Sequence, residues 1–238
     1  MTHPIQIGLL LFPRLTQLDL TGPAEVFAQI PDAAVHLVWK DREPVTTGSG
    51  WQIVPTTSFA DCPPLDVLCV PGGAGQTDLM QDEETLDFLR RQAAGARYVT
   101  SVCTGSLLLG AAGLLTGYRA GCHWMSLDQL ALLGAIPVAE RVVRDRNCIT
   151  AGGVTSGIDF ALVVAAELCG EAVAKAIQLT IEYDPAPPFD AGSPKCAGPA
   201  MVARVTALAR ERQSRRLAAT KAAATRLASL PAVKAAAG

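Results

Sequence analysis

Short apolar runs alternate with amphipathic stretches, and Gly-rich breaks follow several of the runs; together these predict an α/β fold with a doubly wound, mostly parallel sheet sandwiched by helices. Half of the 238 residues are hydrophobic and 18% are charged, so one core can form without disulfides or metals.

Ile5–Phe12 is a short, largely apolar run stopped by Pro13, too short for a buried helix and suited to a central strand. A helix is expected over Pro23–Ile30, because Pro23 fits a first helical position and Glu25 an acidic first turn. Asp19 is thereby left in a loop, free of a capping duty. Val35–Trp39 reads as the second strand, and Pro44–Thr47 with Trp51–Val54 as a hairpin around Gly48-Ser49-Gly50. Asp66–Val70 is a buried strand ended by Pro71-Gly72-Gly73, and Asp82–Ala94 has helical spacing. Tyr98–Val102 is a strand that breaks at Cys103-Thr104-Gly105 into an apolar helix over Ser106–Leu115. Helices are expected over Trp124–Leu133 and Ile158–Leu168. Between them, strands at Arg141–Arg144 and Asn147–Thr150 flank a turn, and Gly152-Gly153 ends the second strand.

The main domain is expected to span residues 1–199, with a basic, Ala-rich tail over 200–238. Residues 201–238 carry eight basic residues against Glu211 alone, so the tail is at +7 and the body at −9. An ordinary solvated or docking helix against an acidic body accounts for this charge without nucleic acid as a partner. Fraying is expected beyond Leu217, and the tail as a whole is expected to be dispensable for chemistry. Seven cysteines at irregular spacings, with no CxxC pair, indicate neither a disulfide framework nor a zinc site and point to a reduced, cytoplasmic chain. The polar start, without a basic flank or cleavage site, argues against a secretory leader, and no apolar run reaches the roughly 18 residues of a membrane span.

In doubly wound folds ligands bind beyond the carboxyl ends of the strands, so the residues there are the candidates for chemistry. Cys103 stands where a strand stops and a helix starts. Amides of the first helical turn should favour its thiolate, moving its pKa from about 8.5 toward about 5 and making it the only readily modified cysteine. The strand-turn-helix context resembles a nucleophile elbow. Gly72-Gly73 also follows a strand; the Gly73 amide, with that of Thr104, suits a two-donor oxyanion hole, although a plain turn has the same appearance. Asp19, if it faces Cys103, becomes a proton donor through burial; otherwise it is a surface carboxylate. His123 fits either a pocket residue or a histidine packed on Trp124, and no acid two residues later orients its ring, since that position is Met125. Trp124, Gly152 and Gly153 complete the pocket candidates.

Five segments together resemble the ThiJ/PfpI superfamily, which has a class I glutamine amidotransferase-like fold. They are Asp19-Leu-Thr-Gly-Pro-Ala-Glu-Val-Phe27, Val70-Pro-Gly-Gly73, Ser101-Val-Cys-Thr-Gly-Ser106, Cys122-His-Trp124 and Thr150-Ala-Gly-Gly-Val-Thr-Ser-Gly-Ile-Asp159. The resemblance covers about residues 5–185. It implies a flavodoxin-like sandwich, a homodimer, and a reactive elbow cysteine working without metal or organic cofactor. Many superfamily members place a glutamate beside that cysteine, whereas this chain is similar to isonitrile-hydrating members in offering an aspartate and a Cys-Thr elbow. The resemblance therefore implies a small isonitrile substrate, Cys103 as nucleophile, Asp19 as general acid/base and Thr104 as a supporting hydrogen-bonding residue. Two other outcomes remain: a related cysteine enzyme or stress protein acting on reactive carbonyls, and a sensing module like the effector half of AraC-like regulators. The second lacks support in the 38 residues from 201 onward, too few and too Ala-rich for a DNA-binding domain.

Overall fold

The computed structural model describes residues 3–229. In chain order it contains β1 (Ile5–Leu10), α1 (Gln17–Phe27), β2 (Ala33–Trp39), the hairpin β3 (Val45–Thr46) and β4 (Gln52–Ile53), and β5 (Thr57–Ser58). Next come β6 (Val67–Val70), α2 (Gln76–Leu79), α3 (Glu83–Ala93), β7 (Tyr98–Val102), α4 (Gly105–Ala111), β8 (Arg119–Ala120), a 3-10 segment (Trp124–Leu133) and β9 (Ile136–Pro137). The chain ends with β10 (Val142–Asp145), β11 (Cys148–Ala151), α5 (Ser156–Cys169), α6 (Glu171–Thr180), α7 (Pro194–Ala197), α8 (Pro199–Leu208) and α9 (Arg210–Ser229).

Seven strands form one sheet in the order β10-β11-β7-β6-β1-β2-β5, parallel throughout except for β10. This is the doubly wound sheet expected from the sequence. β6 is buried along its whole length, and β1 and β7 along most of theirs, which is why none of the three carries a charged residue. Both faces carry helices; on one, Phe27 of α1 meets Phe160 of α5 edge-on, with ring centroids 5.9 Å apart. Asp82 starts α3 by accepting a hydrogen bond from the Thr85 amide at 2.9 Å. Among the described residues no helix is long and apolar enough to cross a membrane.

Two expectations are corrected. The first helix begins at Gln17, not Pro23, so Asp19 belongs to its first turn and Pro23 lies inside it. Pro23 removes one intrahelical bond, that to the Asp19 carbonyl, and packing against α5 tolerates the loss. Second, the tail is built into the fold. α9 runs to Ser229, past the expected fraying point, and packs on the 3-10 segment, α2 and α4. Arg226 fastens it: one guanidinium donates to Ala111 O at the end of α4 and to Met80 O at the end of α2, each at 2.8 Å, and pairs with Glu83 at 3.1 Å. Cations at helix C-termini complement both the free carbonyls and the helix dipole. Residues 230–238, which the expected fraying includes, lie outside the described residues.

Candidate active site

Cys103 follows β7 directly and has φ +59. Four other described non-glycine residues have positive φ, and all are exposed; Cys103 is 6% exposed. A buried residue in this conformation costs about 1–3 kcal/mol, which the surrounding backbone must hold in place. Its amide donates to Gly152 O at 2.8 Å and to Ala151 O at 3.1 Å, while its carbonyl accepts from the His123 amide at 3.3 Å. The turn then closes through Gly105, where a Cβ would lie 2.0 Å from Val70 O, so only glycine lets α4 approach the end of β6.

Asp19 is fully buried beside the elbow. Its Oδ2 accepts from the Gly72 amide at 2.9 Å, whereas Oδ1 has no conventional partner. Burial raises its carboxyl from 3.8 to about 7, even though the Gly72 amide and the Cys103 thiol pull the value back down. The thiol moves in the direction opposite to that expected from the helix terminus. Burial first, and then the neighbouring Asp19 and Cys122, push Cys103 well above its ordinary 9.0, against the Thr104 amide and the Arg216 charge. One amide and a single helix end do not replace the lost water. The sulfur therefore rests as a thiol, next to a carboxyl poised near neutrality.

The two-donor oxyanion hole is not present as expected. The Gly73 amide is committed to Thr104 Oγ1 at 3.1 Å, which leaves the Thr104 hydroxyl proton free to donate. Gly73 has φ +140, and a Cβ there would lie 2.5 Å from Thr16 N, so this wall admits no side chain. His123 lines the cavity but is not a ready base. Its Nδ1 accepts from the Met125 amide at 3.3 Å, and burial, aided by Arg216 and Arg212, lowers its pKa to about 4. Trp124, stacked on His123 at 5.8 Å, is exposed and does not line the cavity. Gly72, Gly152 and Gly153 stand behind the site rather than in it: Gly72 holds Asp19, Gly152 holds Cys103, and Gly153 borders His123.

The cavity above Cys103 measures about 360 Å³. Its lining includes groups that sequence reasoning missed: Arg14 and Thr16 after β1, Ser49 in the hairpin turn, Val154, and Arg212 and Arg216 from α9. The arginines contradict the expectation that the tail carries no part of the site. The i, i+4, i+8 spacing of Arg212, Arg216 and Thr220 was the available signal; the last two are buried, and Arg212 is exposed at the mouth. Cys196, by contrast, is exposed on the surface, so access alone does not single out Cys103 among the thiols.

A parallel sheet with a strained cysteine elbow, and a carboxyl set against its sulfur, defines a class of α/β proteins. The chain belongs to the DJ-1/PfpI family, whose family pattern matches residues 6–167. It is 65% identical over 198 residues to isonitrile hydratase of Pseudomonas putida, spanning 83% of this chain and 87% of that one. It is 31% identical over 193 residues to the HTH-type transcriptional regulator GbdR of Pseudomonas aeruginosa, spanning 76% of this chain but 52% of the regulator. A solved ThiJ/PfpI family protein from Pseudomonas syringae matches with a TM-score of 0.88 at 48% identity, over 91% of this chain and 90% of that one. Drosophila melanogaster DJ-1beta shares the fold, with a TM-score of 0.70 at 24% identity over 76% of this chain and all of its own.

Proposed function

We propose that the protein hydrates organic isonitriles to N-substituted formamides, with Cys103 as nucleophile, Asp19 as general acid/base and Thr104 as a supporting hydrogen-bond donor. The observation that carries this reading is the buried Asp19 carboxyl, at about 7, beside the Cys103 thiol. An isonitrile, R–N≡C, accepts both a nucleophile and a proton on its terminal carbon. A thiol and a carboxylate sharing one proton can deliver both at one point. Asp19 takes the proton as the sulfur attacks, the S–C bond forms, and the same proton passes to carbon, giving a thioimidate, R–N=CH–S. Water then adds to that carbon with Asp19 as base, and the Thr104 hydroxyl faces the developing oxygen. Nitrogen takes up a proton, the C–S bond breaks, and the thiol is restored as R–NH–CHO leaves. His123 stays neutral throughout and shapes the cavity.

The 65% likeness to the Pseudomonas putida enzyme supports the same substrate class. The reading also carries a homodimer working in the cytoplasm, and an undivided domain in which residues 200–229 complete the site. A sensing role draws on the likeness to the regulator, which covers about half of that protein. Formamide production from cyclohexyl isocyanide by the purified protein, with mass spectrometry seeking a thioimidate on Cys103, separates the readings; binding without turnover would favour the sensor.

A further inference from the structure

Arg216 is 4% exposed, and its charge has no carboxylate partner among the described residues. Among the described residues its five N–H groups find one acceptor, Ser126 Oγ at 3.3 Å, and its Nε is buried with none. A guanidinium stays charged at any physiological pH, so such a side chain, left as it is, carries an unmet desolvation cost. Arg212, one turn earlier on α9, reaches the same cavity and forms no ion pair among the described residues. Arg14 lines it as well, but is paired with Asp78. Among the described residues no acidic side chain belongs to the lining; Asp19 lies behind Cys103, and Glu211 faces an adjoining cleft that shares Arg14 and Arg212 with this one. His123, on the same wall, is neutral at pH 7.

We infer that Arg216 and Arg212 form an anion subsite, and that the pocket prefers isonitriles that carry a carboxylate on the group opposite the reacting carbon. The inference rests on the hydration reading for the reacting end of the molecule and adds the chemistry of the other end. A planar fork of donors suits a carboxylate, and Arg216 brings to the cavity wall a guanidinium whose one acceptor among the described residues is Ser126 Oγ. A cavity of about 360 Å³ holds a small acid whose isonitrile carbon reaches Cys103 while its carboxylate meets α9. The two arginines act as specificity-determining residues: they hold the substrate and take no part in proton transfer.

The test compares kcat/KM for isocyanoacetate and its uncharged methyl ester in the full-length protein. The carboxylate is expected to be favoured at least tenfold, and that preference to fall by roughly ten- to a hundredfold in Arg216→Gln and by a smaller factor in Arg212→Gln. Arg216→Lys, which keeps the charge but not the fork, should retain an intermediate preference. If both compounds are hydrated with the ester equal or better, or if the preference survives all three substitutions, the subsite is wrong while hydration stands. A second readout does not depend on turnover. Cys103 should be alkylated by iodoacetate, relative to iodoacetamide, at least tenfold more than exposed Cys196 in the same molecule, and Arg212→Gln, at an exposed position, should lower that ratio without threatening the fold. Equal ratios at the two cysteines would overturn the inference. If neither isonitrile is turned over, the hydration reading fails, and the alkylation ratio still decides the anion site.

Discussion

The two walls of the pocket each bury a charged group, and they treat it in opposite ways. On the N-terminal wall, α1 holds Asp19 against the Gly72 amide and the elbow sulfur, so its charge is negotiable: burial lifts the carboxyl to about 7. On the C-terminal wall, α9 holds Arg216, whose charge cannot be given up and whose Nε is left without a partner. A group that can neutralise itself suits proton traffic, and one that cannot suits an anionic ligand. On the proposed reading, chemistry belongs to the first wall and recognition to the second.

The largest effect should come from the elbow itself. Cys103→Ala is expected to lower turnover by at least about four orders of magnitude, because no other group in the pocket can form the covalent bond. Formamide assays on the folded variant decide this. Asp19→Asn should cost about 10²–10⁴-fold in kcat. In the wild type, kcat/KM should fall as the pH drops below about 7, where Asp19 gains its own proton and can no longer take that of the thiol; the variant should lose this limb.

Asp19→Asn also tests whether the wall trades stability for chemistry. Because the folded-state pKa is raised from 3.8, the stability contributed by this proton is full below pH 3.8 and lost as pH rises through about 7. The shift corresponds to roughly 4 kcal/mol, so the variant should melt higher than wild type at pH 8 and show little difference near pH 4. A variant less stable than wild type at pH 8 would mean that the carboxylate is better solvated than its burial indicates.

On the other wall, ending the chain at Pro199 should do more than remove a charged tail. Losing α9 uncovers α2, α4 and the 3-10 segment and costs about 3 kcal/mol or more, a fall of roughly 10 °C in Tm. A shortened protein that keeps both its Tm and its turnover would restore the tail to a dispensable appendage. His123→Ala should lower kcat by less than about tenfold, since a ring held neutral and engaged with Met125 N is not carrying the proton. If it is inactive while Asp19→Asn is not, the two have been assigned the wrong way round. Cys196→Ser should leave turnover unchanged.

The sheet and the elbow were legible in the chain because each leaves a local mark, whereas only the family resemblance, and no local signal, tied Asp19 to Cys103. Buried parallel strands are short, largely apolar and free of charged residues, and a glycine must follow the elbow wherever helix and strand touch, as at Gly105. The start of α1 was misplaced because Pro23 is a strong local signal for a first helical position, and packing against α5 overrode it. Two decisions had no local mark. The charge state of Cys103 depends on how much water the folded chain removes from around it, a property of all the walls together, so the helix-terminus argument alone gave the wrong direction. The role of the tail depends on where α9 docks: a basic, Ala-rich helix reads as a solvated one until the fold sets Arg216 against the cavity, about a hundred residues along the chain from Cys103. Local chemistry is written in neighbouring residues, whereas burial and long-range approach exist only once the chain has closed on itself.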